Sequence, residues 1–374
     1  MIDTRTPLIF GIFLLLSLEF TPRTQAEIPS GTGIVPNDYY TATDFTSVRK
    51  IDIHIHINTR QTDFISLAAA ENFQFLDIVD DRPFGVPMEE QQKLAIRHLK
   101  AFPGRMQFAT TFPVSDWNQP HWVDSTIARL DRSFRSGASA VKVWKNIGMD
   151  LRDATGAFIM VSNPRIDTIL QYLEKREIPL IGHNGEPRDC WLPLESMTFS
   201  QGYYQAHPEY HMYLHPEYPS YEDQIMARDN MVKKHPSLRF MGAHLGSLEW
   251  SLEELAKRLD AFPNMSVDLT RMSNLKLHAL ENHEQTRNFF IKYQDRLIYG
   301  TDTAINTTEN PEELKKAIRE KWLCDWEFFT SDNIISLPGF GDLAGLKLPR
   351  SIVDKIYLTN AQTFLGWNSG TNQK

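Results

Sequence analysis

Cysteine is nearly absent from this chain: Cys190 and Cys324 are the 2 in 374 residues. Neither has a neighbour at C-x-x-C spacing, so a thiolate metal site is excluded and two unpaired thiols are expected. Runs of Lys and Arg are also lacking. The chain carries 39 Lys and Arg against 47 Asp and Glu, a net charge of −8, with a pI near 5.9. Without a basic stripe, nucleic acid is excluded as a partner. No G-x-G-x-x-G follows the first strand-like segment, which removes support for a dinucleotide-binding open sheet. No Ser-His-Asp arrangement is visible, and Ser247 is expected to cap a helix rather than attack a substrate. No stretch rich in Gly, Ser or Pro splits the sequence, so residues 27–374 are expected to form one domain.

A long apolar run is missing too. The one candidate, LIFGIFLLLSLEF, is too short to span a bilayer comfortably. It follows MIDTRTP, with one Arg, and precedes TPRTQA, with Thr24 and Ala26 at the small-residue positions. That order is the order of a secretory signal. Residues 1–26 are therefore expected to be a leader cleaved after Ala26, leaving an exported, periplasmic or secreted protein with no membrane anchor. A buried N-terminal helix is the alternative. No Cys lies near the cleavage point, which argues against a lipid-modified anchor.

What is present is a repeating pattern. The chain is 41% hydrophobic and 11% aromatic, enough for a sizeable core. Short apolar runs recur: KIDIHIHI, FQFLDIV, RMQFATTF, SAVKVWK, IPLIGHN, LRFMGAHL, NMSVDLT and RLIYGTD. Between them lie amphipathic segments such as PMEEQQKLAIRHLKAF, HWVDSTIARLDRSFRSG, NPRIDTILQYLEKR, SLEWSLEELAKRLDAF and PEELKKAIREKW. Strands alternating with helices give a parallel sheet covered by helices. Eight such units at this length predict an α/β fold of the (β/α)8 TIM-barrel type, with a doubly wound open sheet as runner-up. A long segment after strand five, about 185–220, is expected to be an insertion on the C-terminal face. It carries HPEY twice and several aromatics, and reads as a wall or lid over a site, or as packing on the rim. His207, His211 and His215 step by four within it, but the prolines there argue against a helix and a second metal site.

In IDIHIHIN, strand alternation places Ile51, Ile53, Ile55 and Ile57 on one face and Asp52, His54, His56 and Asn58 on the other. The same design recurs at other strand ends: His183 after strand five, His244 after six, Asp302 after eight, and Lys142 and Lys145 on four. In a barrel those ends meet at the top of the bore. Imidazole and carboxylate converging there predict a divalent metal site. A lone buried histidine is ordinarily just a hydrogen-bonded residue, so the prediction rests on several strands agreeing.

HIH, GHNGEP, GAHLG and YGTD, in this order, resemble the amidohydrolase superfamily of metal-dependent barrels. They look like its amidohydrolase-related branch, which includes aminocarboxymuconate-semialdehyde decarboxylase-like proteins, aryl decarboxylases and sugar-lactone hydrolases. The tail DKIYLTNAQTFLG resembles that branch's closing helix. The resemblance implies that His54, His56, His183 and Asp302 hold one divalent ion, zinc before manganese or iron. It implies a metal-bound water, Asp302 as proton shuttle, and His244 polarising the substrate or orienting water. In binuclear relatives a strand-four lysine is carboxylated and bridges two ions. Lys142 stands at that place, with His183 and His244 then the ligands of the second ion; one ion is favoured, and Lys142 would otherwise pair with Asp52 or Asp302.

Arg60, Arg188 and Arg271, after strands one, five and seven, and Lys145 are the candidates for holding a substrate anion. Each arginine is equally suited to a surface ion pair. Glu186 is expected to brace a ligand histidine. The resulting expectation is a metal-dependent hydrolase of an ester, lactone or amide bond in a small molecule. Non-oxidative decarboxylation of a small aryl or enoic carboxylic acid is the alternative, and a non-catalytic binding protein the remote one. Relatives in the branch suggest a homodimer.

Overall fold

A computed structural model describes residues 38–82, 85–307 and 310–367. The expected leader, 1–26, lies outside the described residues. The central sheet is parallel and built from β1 (Lys50–Ile57), β2 (Phe73–Ile78), β3 (Met106–Thr110), β4 (Ala138–Val143), β5 (Leu180–Gly182), β6 (Phe240–Gly242), β7 (Met265–Asp268), β8 (Leu297–Ile298) and β9 (Thr303–Ile305). Neighbours run in chain order from β8 back to β1, and β9 then pairs with β1. β8 and β9 are two pieces of one strand. The first pairs with β7 and the second with β1, and the four residues between them join the two. Ile53 N–H donates to the Tyr299 carbonyl and Asp302 N–H to that of His54. The eighth strand thereby closes the sheet into a (β/α)8 barrel. Gly300 makes this seam fit: a Cβ there would stand 3.2 Å from Cβ of His54.

Helices start where their sequences say they should. Asn163 caps Pro164–Lys175 by accepting the Arg165 N–H, with proline in the first turn. Ser220 and Asp223 form a reciprocal cap on Tyr221–Lys234. After β6 the expectation fails. The helix begins only at Leu252, capped by Ser251, and Ser247 instead donates its hydroxyl to the Gly185 carbonyl at 2.9 Å. His244, Leu245 and Ser247 all have φ near +57°, so the chain makes a left-handed turn where a helix start was expected. The helix of PEELKKAIREKW runs on to Thr330, and an unexpected hairpin, Ile334–Leu337 with Gly341–Ala344, follows it.

The alternation expected in β1 does not hold. Ile51 and Ile53 pack with Leu76, Ile78, Ala109, Ala140, Ile181, Met241 and Ile298 inside the bore, while Ile55 and Ile57 join the outer core beneath the helices. The cause is a β-bulge: Asp52 lies opposite Phe75 and Ile55 opposite Asp77, so three steps on β1 match two on β2. Below the bulge the isoleucines point inward, and Asp52 points outward to Trp322 and Thr301. Above it the histidines point inward. Asp52 is therefore not the partner of Lys142. The tail helix Asn360–Leu365 stops the lower end of the bore with Ala361, Phe364 and Leu365. Asn360 anchors it by donating to the carbonyls of Gln294 and Leu297.

The segment after β5 is ordered by short turns, with Gln201–Ala206 its one α-helix. Cys190, Tyr204 and Met212 pack on Met149 as a small separate core. His211 and His215 bond to the carbonyls of Leu192 and Pro208, one function each, and do not share a helix face. Both cysteines are free.

The buried Asp77 sits on the outer face of β2 and accepts the Ile57 N–H at 2.8 Å. Burial, working against that hydrogen bond, pushes its carboxyl up to about 7. The folded protein thus keeps a proton that the unfolded chain releases above about pH 4. Its contribution to stability is full below that pH and is lost as pH rises through about 7. Asp77→Asn preserves the acceptor for Ile57, and is expected to lose less Tm than the wild type between about pH 4 and pH 8. Parallel Tm-against-pH curves for the two proteins would refute this.

Candidate metal centre

Three side chains meet at the top of the seam. His54 and His56 come from β1, and Asp302 from the turn between β8 and β9. One ligand atom from each lies within 4.8 Å of the others. His54 Nε2 and His56 Nε2 each stand 3.3 Å from Asp302 Oδ1. The bulge in β1 turns both imidazoles to this side, and the left-handed backbone of Asp302, φ 55°, turns the carboxylate to meet them. Aspartate tolerates that conformation better than most residues. Its side chain is 40% exposed, while both histidines are buried. Burial opposes ionisation of Asp302, yet the His54, His244 and His56 imidazoles hold its carboxyl well below the usual carboxylate range.

Hydrogen bonds orient each ring. His56 Nδ1 is 2.8 Å from the Ile78 carbonyl, which can only accept, and 3.2 Å from Arg82 Nη2, which can only donate. His54 Nδ1 is 2.7 Å from Asp268. His244 Nδ1 is 2.8 Å from the Thr270 hydroxyl, and its Nε2 is 3.8 Å from Asp302 Oδ2. Burial pushes His244 down to about 3, so it is neutral. His183 packs edge-on against His244, with ring centroids 4.4 Å apart. It lies outside the three-residue cluster. Its buried Nε2 makes no hydrogen bond, although a Glu186 oxygen stands 3.4 Å away. Burial, together with the nearby His244 and Lys145, holds His183 well below the ordinary histidine pKa.

These residues fit a divalent cation. The Nε2 atoms of His54 and His56 converge on one carboxylate oxygen of Asp302, each at 3.3 Å, an arrangement that a cation would satisfy. Two imidazoles and a carboxylate form an N/O donor set suited to zinc, manganese or iron. His183 supplies a fourth nitrogen with no partner of its own.

The lysines and arginines divide. Lys142 is buried in the bore with Nζ 3.4 Å from His54 Nε2, and burial lowers its pKa. Lys145 pairs with Glu186, and burial lowers it to about 8. The Arg271 Nε is buried without a hydrogen-bond partner, and its charge is felt at His244, Lys145, Glu249 and Tyr204. Arg60 is placed elsewhere: its side chain is 72% exposed and reaches Glu90 on the helix Met88–Ala101. The Arg188 guanidinium is held 4.1 Å above the Trp250 ring, while the Arg188 backbone N–H donates to Glu249. Of the four expected anion-holding cations, Lys145 thus stands at Glu186 and Arg271 acts on His244.

Four neighbours escaped the sequence reading. Asp80 and Arg82 follow β2. They pair with one another, at 2.6 Å from Arg82 Nε to Asp80 Oδ1, and both lie beside His56. Asp268 ends β7 and Thr270 follows it. Asp268 is fully buried; burial opposes its charge, but His54, His244 and Lys142 together hold its pKa below the usual carboxylate value. The signal was available: these are polar groups at strand ends, the rule that found the histidines.

A family model described as amidohydrolase matches residues 51–367. No curated protein matches the chain in sequence. Among solved structures, a 2,6-dihydroxybenzoate decarboxylase complexed with 2,6-dihydroxybenzoate is similar at 15% identity, over 85% of this chain and 98% of that one, with a TM-score of 0.50. The 2,6-dihydroxybenzoate decarboxylase from Rhizobium shares 15% identity over 85% and 98% of the two chains, with a TM-score of 0.49. A Staphylococcus aureus protein described as an amidohydrolase shares 13% identity over 85% of this chain and 100% of that one, with a TM-score of 0.50. At such identities the structural likeness speaks to the fold alone. The family match begins on the strand that carries His54 and His56 and ends past the helix that stops the bore, and over that span the chain belongs to the amidohydrolase family.

Proposed function

We propose that the protein is a metal-dependent hydrolase of an ester, lactone or amide bond in a small organic molecule. The observation that carries this reading is the cluster itself: His54 Nε2 and His56 Nε2 each stand 3.3 Å from Oδ1 of Asp302, whose side chain is 40% exposed. Asp302 has its pKa held below the usual carboxylate range, and burial lowers those of His244 and His183. The site holds a ready base, as proton removal from an attacking water requires. His54, His56 and Asp302, with His183 beside them, would hold the ion. A divalent ion there supplies Lewis acidity to a carbonyl and makes water more acidic. Asp302 accepts the water's proton and returns it to the leaving group. His244, bare at Nε2, orients a donor on the substrate or the water. Lys145 and Arg271 hold an anionic part of the substrate.

Decarboxylation is the second reading, and one observation favours it. Lys145, at about 8, is protonated at neutral pH and is able to give a proton. We also propose export, from the leader-like order of residues 1–26.

The deciding experiment has two parts: metal analysis of the protein purified with zinc supplied, and an assay against lactones, esters and amides beside aryl carboxylic acids. One ion per chain with metal-dependent acid release from an ester or lactone supports the proposal. Carbon dioxide release alone selects the second reading, and a protein that binds no ion under these conditions ends both.

A further inference from the structure

We propose that Asp268 is a positioning residue that sets the proton placement on His54 and His244 together, so that both present a bare Nε2 toward Asp302. The inference rests on the metal-site reading above. It is carried by a hydrogen-bond chain that runs from one carboxylate to both rings.

Asp268 ends β7 and is 0% exposed. Its Oδ2 lies 2.7 Å from His54 Nδ1. Its Oδ1 accepts from the His244 backbone N–H at 2.8 Å and from the Thr270 hydroxyl at 2.9 Å, with the Thr270 N–H at 3.4 Å. With three donors on Oδ1 the side chain acts as an acceptor, and its Oδ2 places the His54 proton on Nδ1. The Nε2 of His54 is then an acceptor, consistent with Lys142 Nζ facing it at 3.4 Å.

The second branch runs through Thr270. A hydroxyl has one proton, and here it goes to Asp268. The Thr270 oxygen is then left to accept from His244 Nδ1 at 2.8 Å. His244 too carries its proton on Nδ1 and bares Nε2. The same carboxylate that holds the His244 backbone in its left-handed turn also fixes which edge of two rings faces the reaction space. Outer hydrogen-bond partners of this kind set ligand orientation and basicity.

The test uses Asp268→Asn and Thr270→Val. In Asp268→Asn, the three donors at Oδ1 keep the amide oxygen on their side. The amide NH2 then faces His54 Nδ1, which must become an acceptor and send its proton to Nε2. Long-range 1H–15N spectra of the metal-free protein read this directly, with peaks assigned by loss in His54→Gln and His244→Gln. The wild type is expected to show Nδ1–H on both rings, and Asp268→Asn to show Nε2–H on His54. Zinc affinity, measured by competition with a chelator, is expected to fall about 10- to 100-fold.

Thr270→Val is expected to remove the Nδ1–H signature of His244 while leaving His54 unchanged. If Asp268→Asn fails to fold, this variant decides alone. A wild type with Nε2–H on His54, or variants with unchanged spectra, overturns the proposal. If zinc binds neither protein but the tautomers switch as expected, the metal reading falls and the positioning role stands.

Discussion

Asp302→Asn is expected to lower turnover by about 10²- to 10⁴-fold, the range that a positioned proton-transfer group contributes, while leaving the fold intact. Asparagine is the right replacement because φ at this position is 55°, and asparagine shares with aspartate a tolerance of the left-handed region. Alanine would add backbone strain and blur the result. The backbone bond from this residue to the His54 carbonyl survives in either case. The amide removes two things: the negative charge and the ability to take a proton. Metal content measured beside activity separates them. Lost turnover with the ion retained assigns Asp302 the proton transfer, whereas loss of both together assigns it chiefly to holding the ion. Near-normal turnover would remove Asp302 from the mechanism.

The second large effect lies away from the site, in the outer core. Lys276, on the helix Met272–Glu281, donates to Asp325 Oδ1 at 2.9 Å on the helix Pro311–Thr330. Tyr299 donates to the other oxygen at 3.1 Å. Side-chain exposures are 10% for Lys276 and 2% for Asp325. Burial opposes both charges, and each holds the other ionised. Lys276→Met leaves the carboxylate buried without its cation and is expected to destabilise the fold by about 3–5 kcal/mol. Adding Asp325→Asn keeps an acceptor for Tyr299 and removes the stranded charge, so the double variant is expected to recover much of the loss. Denaturant midpoints for the wild type, the single and the double variant provide the check. A single-variant loss below about 1 kcal/mol would mean that water or Lys321, 3.8 Å away, already neutralises Asp325.

Much of this architecture is legible in the sequence because parallel strands buried on both faces read as short apolar runs, and polar residues at their ends stand out. The β1 boundaries, Lys50 and Ile57, coincide with KIDIHIHI. The direction of its side chains does not follow. A bulge depends on how β1 registers against β2, and nothing local in IDIHIHIN announces it. The strand RLIYGTD was readable, but its division into two pieces serving opposite neighbours is a property of closure. Arg60 and Arg188 were picked by position after a strand, and position alone cannot tell that Glu90 and Trp250 would claim them. Asp268 was missed for the opposite reason: NMSVDLT carries a single short acid among apolar neighbours, which reads as a strand ending in a turn. Its importance comes from residues 214 and 24 positions away in the chain.

The place where the barrel closes is also the place where its ligands sit. His54 and His56 stand on one side of the junction and Asp302 on the other, and Gly300 keeps the two edges close. An ion held by these three would act as a clasp across the last joint of the ring. Chelation would then unfasten the cylinder at this joint, with the Ile53 and Asp302 amides among the first to exchange with solvent, and metal supply would become part of how long the folded protein lasts.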